Sequence, residues 1–218
     1  MDLFPLWLSL RVALTATAIT TVVGVAGAYA LARFRFPGRG LLEAVASLPI
    51  VLPPTVLGYY LLVLIGRNSP VGRAWETVFG RPLVFTVWAA IIAAAVASLP
   101  YCLRSAVAAI NAIDRGYEEA AKVAGLHGSR LAMTVTLPLA RRGIVAGVSL
   151  AFARALGDFG TTLMVAGNIP GRTQTMPIAV YDRVQAFDYA SAGVLAAIMS
   201  IVAIAVLLLV RRLEGERA

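Results

Sequence analysis

Long runs without a single Asp, Glu, Lys, Arg or His constrain this chain more than any motif does. There are 21 such residues between Arg11 and Arg33, 23 between Glu43 and Arg67, 22 between Arg81 and Arg104, and 22 between Asp188 and Arg211. At 1.5 Å per helical residue, each run reaches across a hydrocarbon core about 30 Å thick. A fifth run begins at Gly143 and stays apolar to about Val165, interrupted by Arg154 and Asp158. The expected architecture is an all-α membrane protein with about five transmembrane helices, near 12–32, 44–66, 82–103, 140–165 and 189–210. The stretch 166–188 has room for a sixth, short or re-entrant piece. An Ala28-Tyr29-Ala30 sequence has the form of a signal-peptidase site, but it lies inside an apolar run and no clearly basic leader precedes it.

Composition agrees. Of 218 residues, 60% are hydrophobic and 14% charged, where a soluble domain carries about 25% charged residues. The net charge of +8 does not indicate nucleic acid, because the cations cluster between apolar runs instead of covering a polar surface. A single cysteine, Cys102, excludes a disulfide scaffold. One histidine, His127, and that cysteine leave metal and protease chemistry without ligands, and no phosphate-binding G-x-x-x-x-G-K-[ST] loop is present.

Lys and Arg divide unequally between the two sides of a five-span chain. Segments 33–43, 104–142 and 211–218 hold 12, and segments 1–11, 67–81 and 166–188 hold 6. The excess marks the first set as cytoplasmic, with the N-terminus outside and the C-terminus inside.

The 39-residue segment Arg104–Arg142 is too long for a simple connection between helices. Val107, Ile110, Ile113 and Tyr117 recur at helical spacing, and Glu118-Glu119-Ala120-Ala121-Lys122-Val123-Ala124 favours a helix. Gly125 suits a helix C-terminus, and Ser129 suits the cap of a second helix running to Leu137-Pro138. Physics alone leaves two readings of this loop. It is a docking element, whose small residues admit another backbone while Glu118 and Glu119 face an Arg-lined rim, or it is a solvated interfacial helix.

Arg154 lies 12 residues beyond Arg142, about 18 Å along a helix and so near mid-bilayer. Asp158 is four residues further, on the same face of a continuous helix. Either the two neutralise each other, or with Gly157, Thr161 and Thr162 they form a polar element of a translocation path. Pro49, Pro53 and Pro54 kink the second span or make a hinge in it. Gly143 and Gly147 permit a close helix crossing.

Glu119-Ala120-Ala121-x3-Gly125-x9-Val135-x-Leu137-Pro138 resembles the EAA loop of ABC importer permeases, with Val135 where that family usually has isoleucine. Ala153-Arg154-Ala155-Leu156-Gly157-Asp158-Phe159-Gly160 resembles a stretch of oxyanion importer permeases, and 168–181 is similar to their molybdate branch. The resemblance implies a type I importer permease fold with 1–218 as one transmembrane domain and 104–142 as its cytoplasmic coupling loop. It implies Glu118, Glu119, Ala120, Ala121, Gly125, Leu137 and Pro138 as the ATPase-coupling residues, Arg154, Gly157, Asp158, Thr161 and Thr162 along the path, and Arg172, Thr173, Gln174 and Thr175 on the binding-protein or gate side.

The implied partners are a second copy of the chain, ABC ATPase subunits that bind ATP and magnesium, an extracytoplasmic oxyanion-binding protein, and membrane lipid. The chain itself is then non-catalytic and carries no cofactor. Molybdate or tungstate is the implied cargo, with sulfate or thiosulfate as the alternative. A secondary transporter or channel would bring inverted repeats within one chain, and none is visible between 12–66 and 140–210. An intramembrane enzyme often works with sets of His and Cys groups, and this chain has one of each, His127 and Cys102.

Overall fold

Alanine and glycine decide how the helices meet. In the computed structural model, which describes residues 3–215 and side chains as far as Leu208, three long helices form the centre: α1 (Phe4–Arg33), α5 (Val87–Asn111) and α8 (Leu137–Leu156), with the shorter α2 (Arg39–Val51), α3 (Pro54–Ile65), α4 (Pro70–Phe79), α6 (Arg115–Val123) and α7 (Gly128–Leu131) between them. After α8 come α9 (Gly160–Ala166), α10 (Met176–Gln185) and α11 (Tyr189–Gly215). Helix α5 buries Ala89, Ala90, Ala93, Ala94, Ala97 and Ala106 completely. Such small side chains let backbones approach closely where lipid supplies no hydrophobic drive between helices. A methyl group on Gly24 of α1 would lie 3.1 Å from the Cys102 sulfur, and one on Gly147 of α8 would lie 2.7 Å from Ser105. The Gly143–Gly147 pair is therefore a packed crossing on α5, sealed where the Ser105 hydroxyl donates to the Gly143 carbonyl at 2.7 Å.

The span expected at 44–66 is not one helix. Leu52 and Pro53 are extended, and α3 starts at Pro54. The residue before a proline is driven out of the helical region, and proline suits the first turn of the next helix. The result is two short helices of 13 and 12 residues, each too short to cross the bilayer alone. No side chain of α2 is buried. Helix α3 instead packs on α9, with Gly58 pressed against Met164 and Thr161.

The fifth span also differs. A continuous helical stretch runs from Gly128 to Leu156, 29 residues, well before the expected start at 140. It contains one wide turn at Ala132–Thr136, just before Pro138. Proline has no N–H to give to the preceding turn, which accounts for the widening. The helix then ends at Leu156, so 157–165 is a break followed by the short α9. Likewise Arg104 does not end α5, which continues to Asn111. The charges mark where water begins, whereas the backbone keeps its helical hydrogen bonds beyond that boundary.

Four helices are long and apolar enough to cross a membrane: Phe4–Arg33, Val87–Asn111, Gly128–Leu156 and Tyr189–Leu208. The broken α2–α3 pair occupies the place of the remaining span. The stretch 166–188 holds α10, whose 10 residues reach about 15 Å. Asp188 then starts α11, accepting from the Ser191 amide at 3.1 Å. Hydrogen bonds from Ser191 hold its carboxyl below the usual carboxylate range. The cations counted in 211–218 lie outside the described side chains.

Candidate functional site

The loop between the long helices is short once they are traced, and α6 fills most of it. Asp114 caps α6 by accepting from the Gly116 amide at 2.8 Å. Its C-terminus closes with two bonds, Gly125 N to Lys122 O at 3.0 Å and Leu126 N to Ala121 O at 3.0 Å. That double closure requires a left-handed residue, and Gly125 supplies it at φ +88°. Ser129 is not the next cap. His127 holds that position in extended backbone, and Ser129 falls inside α7.

One side of α6 is open and the other is locked. Glu119 and Ala120 are exposed, Ala121 is half-buried, and Val123 is 92% exposed. Tyr117 is exposed while Ile110 is fully buried at the end of α5, so the expected stripe through 107–117 is divided between two helices of different direction. Glu118 points inward, contrary to a role on a charged rim. Its Oε1 accepts from Arg33 Nε at 2.9 Å and from the Thr136 hydroxyl at 2.7 Å. Arg33 also donates to the Ile110 carbonyl at 2.9 Å. One buried carboxylate thus fastens α6 to the ends of α1 and α5 and to the wide turn before α8. Leu137 is half-buried and Pro138 exposed at that turn.

A second buried carboxylate stands at the break after α8. Arg154 and Asp158 approach to 2.9 Å, with Asp158 essentially inaccessible and Arg154 partly exposed. They do not share a continuous helix, because Asp158 lies past the end of α8. Its Oδ2 accepts from the Thr162 amide at 2.9 Å and hydroxyl at 2.7 Å, and so organises the start of α9. Thr161 is fully buried too, and its hydroxyl has no hydrogen-bond partner among the described residues. Only Arg154 and Gly157 of this group reach an accessible surface. Asp158 and Thr162 hold the arginine and the break in place.

The segment 172–175 separates in the same manner. Arg172 is exposed, but Thr173, Gln174 and Thr175 are buried and so do not present a surface to a docking protein. Gln174 donates to Asn168 at 2.8 Å and to Asp182 at 3.3 Å, and Asn168 donates to Asp182 at 2.9 Å. This cluster folds the loop onto α10, which is pinned to α1 by the Met176 amide donating to the Ser9 hydroxyl at 2.7 Å. The sequence reading missed Arg33, Thr136, Asn168 and Asp182. Arg33 had a signal, since it is the first charge after an uncharged run, but its partner is 85 residues away.

Residues 20–215 match the family of binding-protein-dependent transport system inner membrane components. The chain belongs to that family. Over 215 residues it is 40% identical to the molybdenum transport system permease protein ModB of Escherichia coli K12, covering 97% of this chain and 94% of that one. The putative molybdenum transport system permease protein YvgM of Bacillus subtilis is 44% identical over 178 residues, 81% of this chain and 78% of the relative. A sulfate transport system permease protein, CysW of Synechocystis, is more distant at 34% over 209 residues, 96% of this chain and 75% of the relative. Among solved structures, the MetNI methionine ABC transporter in an inward-facing conformation superposes with a TM-score of 0.75 at 16% identity, covering 96% of this chain and 93% of that one. This likeness concerns the fold, which is that of an ABC importer permease. The chain is thus a transport-system membrane component that presents an open α6 face and a partly exposed arginine.

Proposed function

We propose that this chain is the transmembrane subunit of an ATP-driven importer that forms the path for molybdate or tungstate handed over by a binding protein. The observation that carries the cargo is the greater likeness, along nearly the whole chain, to molybdenum permeases than to sulfate permeases. Two copies enclose the path, and each seats α6 on an ATPase subunit that binds ATP and magnesium. The exposed Glu119, Ala120, Val123 and Gly125 meet the ATPase, with Ala121, Leu137 and Pro138 shaping the turn behind them. Lys/Arg bias supports α6 on the cytoplasmic side, the N-terminus outside and the C-terminus inside.

The mechanics follow from the lock around Glu118. When the ATPase subunits close on ATP, α6 moves with them. Through Arg33 and Thr136 that motion is delivered to α1 and to the wide turn at the foot of α8. Helix α8 carries Arg154 at its far end, where the break at Gly157–Phe159 lets it reorient relative to α9. ATP biases the dimer toward the outward-facing state because it binds that state more tightly, and hydrolysis removes the bias. In the path, the accessible side of Arg154 attracts an oxyanion while the Asp158 carboxylate offsets its charge, so the anion is drawn in and also released.

Reconstitution with the ATPase and the binding protein tests the cargo. Molybdate-loaded binding protein is expected to stimulate ATP hydrolysis, and sulfate-loaded protein is not. Stimulation by sulfate alone would replace this reading with a sulfate permease, the second reading that the CysW likeness favours.

A further inference from the structure

At the end of the molecule opposite α6, five of the six arginines fall into two groups, and the sixth, Arg73 of α4, is exposed outside both. Arg67 pairs with Glu76 at 2.8 Å and Arg183 with Asp188 at 3.5 Å. Arg11, Arg81 and Arg172 are exposed, have no carboxylate partner among the described residues, and converge on one cavity of about 570 Å³. They come from α1, from the turn before α5 and from the loop before α10, so only the tertiary fold assembles them. Three like charges gathered without a counter-charge among the described residues repel one another, and an anion relieves that repulsion.

The walls narrow the choice of anion. Between the arginines the lining is apolar and aromatic, chiefly Trp7, Phe85, Trp88 and Val84. Trp7 is 56% exposed, Phe85 51% and Trp88 46%, and the Arg11 guanidinium lies 5.3 Å over the Trp7 ring. A free oxyanion has no use for such walls, but an amphiphile does. The depth is right as well. Arg11 stands 22 residues before Arg33 on the same helix, about 33 Å away, so the two arginines mark opposite edges of the hydrocarbon core. Tryptophan concentrates at that boundary.

We infer that the cavity lined by Arg11, Arg81 and Arg172 binds an anionic phospholipid, its phosphate among the guanidiniums and its glycerol and upper acyl chains against Trp7, Phe85 and Trp88. The site belongs to the leaflet opposite the α6 loop. It seats one lipid against the ends of α1 and α5 and the loop before α10.

Two of the three tryptophans line the cavity, so bromine quenching reads its occupancy. The full chain with its ATPase is placed in phosphatidylcholine vesicles containing either brominated phosphatidylglycerol or brominated phosphatidylcholine, and tryptophan fluorescence is titrated. A preference of about a hundredfold for the anionic lipid is expected, since each of the three arginines contributes about 1 kcal/mol toward anionic lipid and about 1.4 kcal/mol is tenfold. Arg11→Gln/Arg81→Gln should cut the preference to about fivefold, which Arg172 alone supplies. Arg11→Lys/Arg81→Lys should keep most of it, and Arg67→Gln/Arg73→Gln, which removes equal charge from the same side outside the cavity, should keep all of it. An unchanged preference in Arg11→Gln/Arg81→Gln would overturn the inference, as would equal loss in the Arg67/Arg73 variant. So would displacement of the lipid by millimolar inorganic phosphate or molybdate. If Arg11→Gln/Arg81→Gln instead lost binding-protein stimulation in pure phosphatidylcholine, the cavity would serve the protein partner and the lipid assignment would fail.

Discussion

Glu118 and Asp158 are the same device built at two different ranges. Each is a buried carboxylate held by one arginine and one threonine hydroxyl. Around Asp158 everything is local, with Arg154 four residues before and Thr162 four residues after. Around Glu118 the arginine is 85 residues away and the threonine 18. The local version organises a break in the chain and steadies one side chain beside it. The long-range version fastens three separate elements together. Both arginines are mostly shielded, Arg33 at 13% exposure and Arg154 at 22%, so what separates the two is which parts of the chain each one joins.

The largest effect should come from removing Glu118. Glu118→Ala leaves Arg33 unpaired in a mostly buried position, and breaking a buried pair from one side costs about 3–5 kcal/mol. Thermal denaturation of the detergent-solubilised chain should show the loss, and ATP hydrolysis in the reconstituted complex should become independent of the binding protein. If stability fell and coupling survived, Glu118 would be a packing residue and not a transmission link. Asp158→Asn should cost less, about 1–3 kcal/mol, because the amide oxygen can still accept from Thr162 while the attraction to Arg154 disappears. Its expected signature is reduced transport with ATPase coupling retained. Loss of coupling here would erase the distinction between the two carboxylates.

The threonines act on the same scale as Asp158→Asn. Thr136→Val and Thr162→Val each delete one hydrogen bond to a carboxylate, an effect of about 1.5–3 kcal/mol where the acceptor is charged. Thr162 retains its amide bond to Asp158, so Thr136→Val should be the more damaging in a denaturation series. Equal losses would mean that the range of the network does not matter. The smallest structural effect belongs to Glu119→Ala on the open face of α6. Stability should stay within about 0.5 kcal/mol, while transport-coupled hydrolysis falls. A variant that hydrolyses and transports normally would remove Glu119 from the ATPase contact.

How far each region was legible in the sequence follows the same division. The Arg154–Asp158 pair was readable from a spacing of four, although the helix supposed to carry it ends in between. Gly157 and Gly160 flank that break, but glycines are also common in unbroken membrane helices. The Schellman closure at Gly125 was legible because one residue type suits one backbone conformation. Glu118 was misread as a rim charge. Adjacent glutamates look alike in a sequence, and only the packing of α6 against the wide turn before α8, with Arg33 reaching over from α1, decides which faces inward. The burial of Thr173, Gln174 and Thr175 was not legible either, since a polar loop residue folded over Asn168 and Asp182 has the same letter as one facing water.

By itself, the sequence determined that the chain lives in a membrane, roughly where it crosses, and that the loop after Arg104 holds a helix closed at Gly125. These properties depend on hydropathy summed over about 20 residues and on local backbone preferences, both of which act within one segment. The tertiary structure alone decided that Pro53 and Pro54 divide a span whose halves pack in different places. It also decided that Arg33 reaches Glu118, and that Arg11, Arg81 and Arg172 share a cavity. These are contacts between segments far apart in the chain. Their energies depend on distance and burial, which exist only once α1, α5 and α8 have closed on one another through their alanines and glycines.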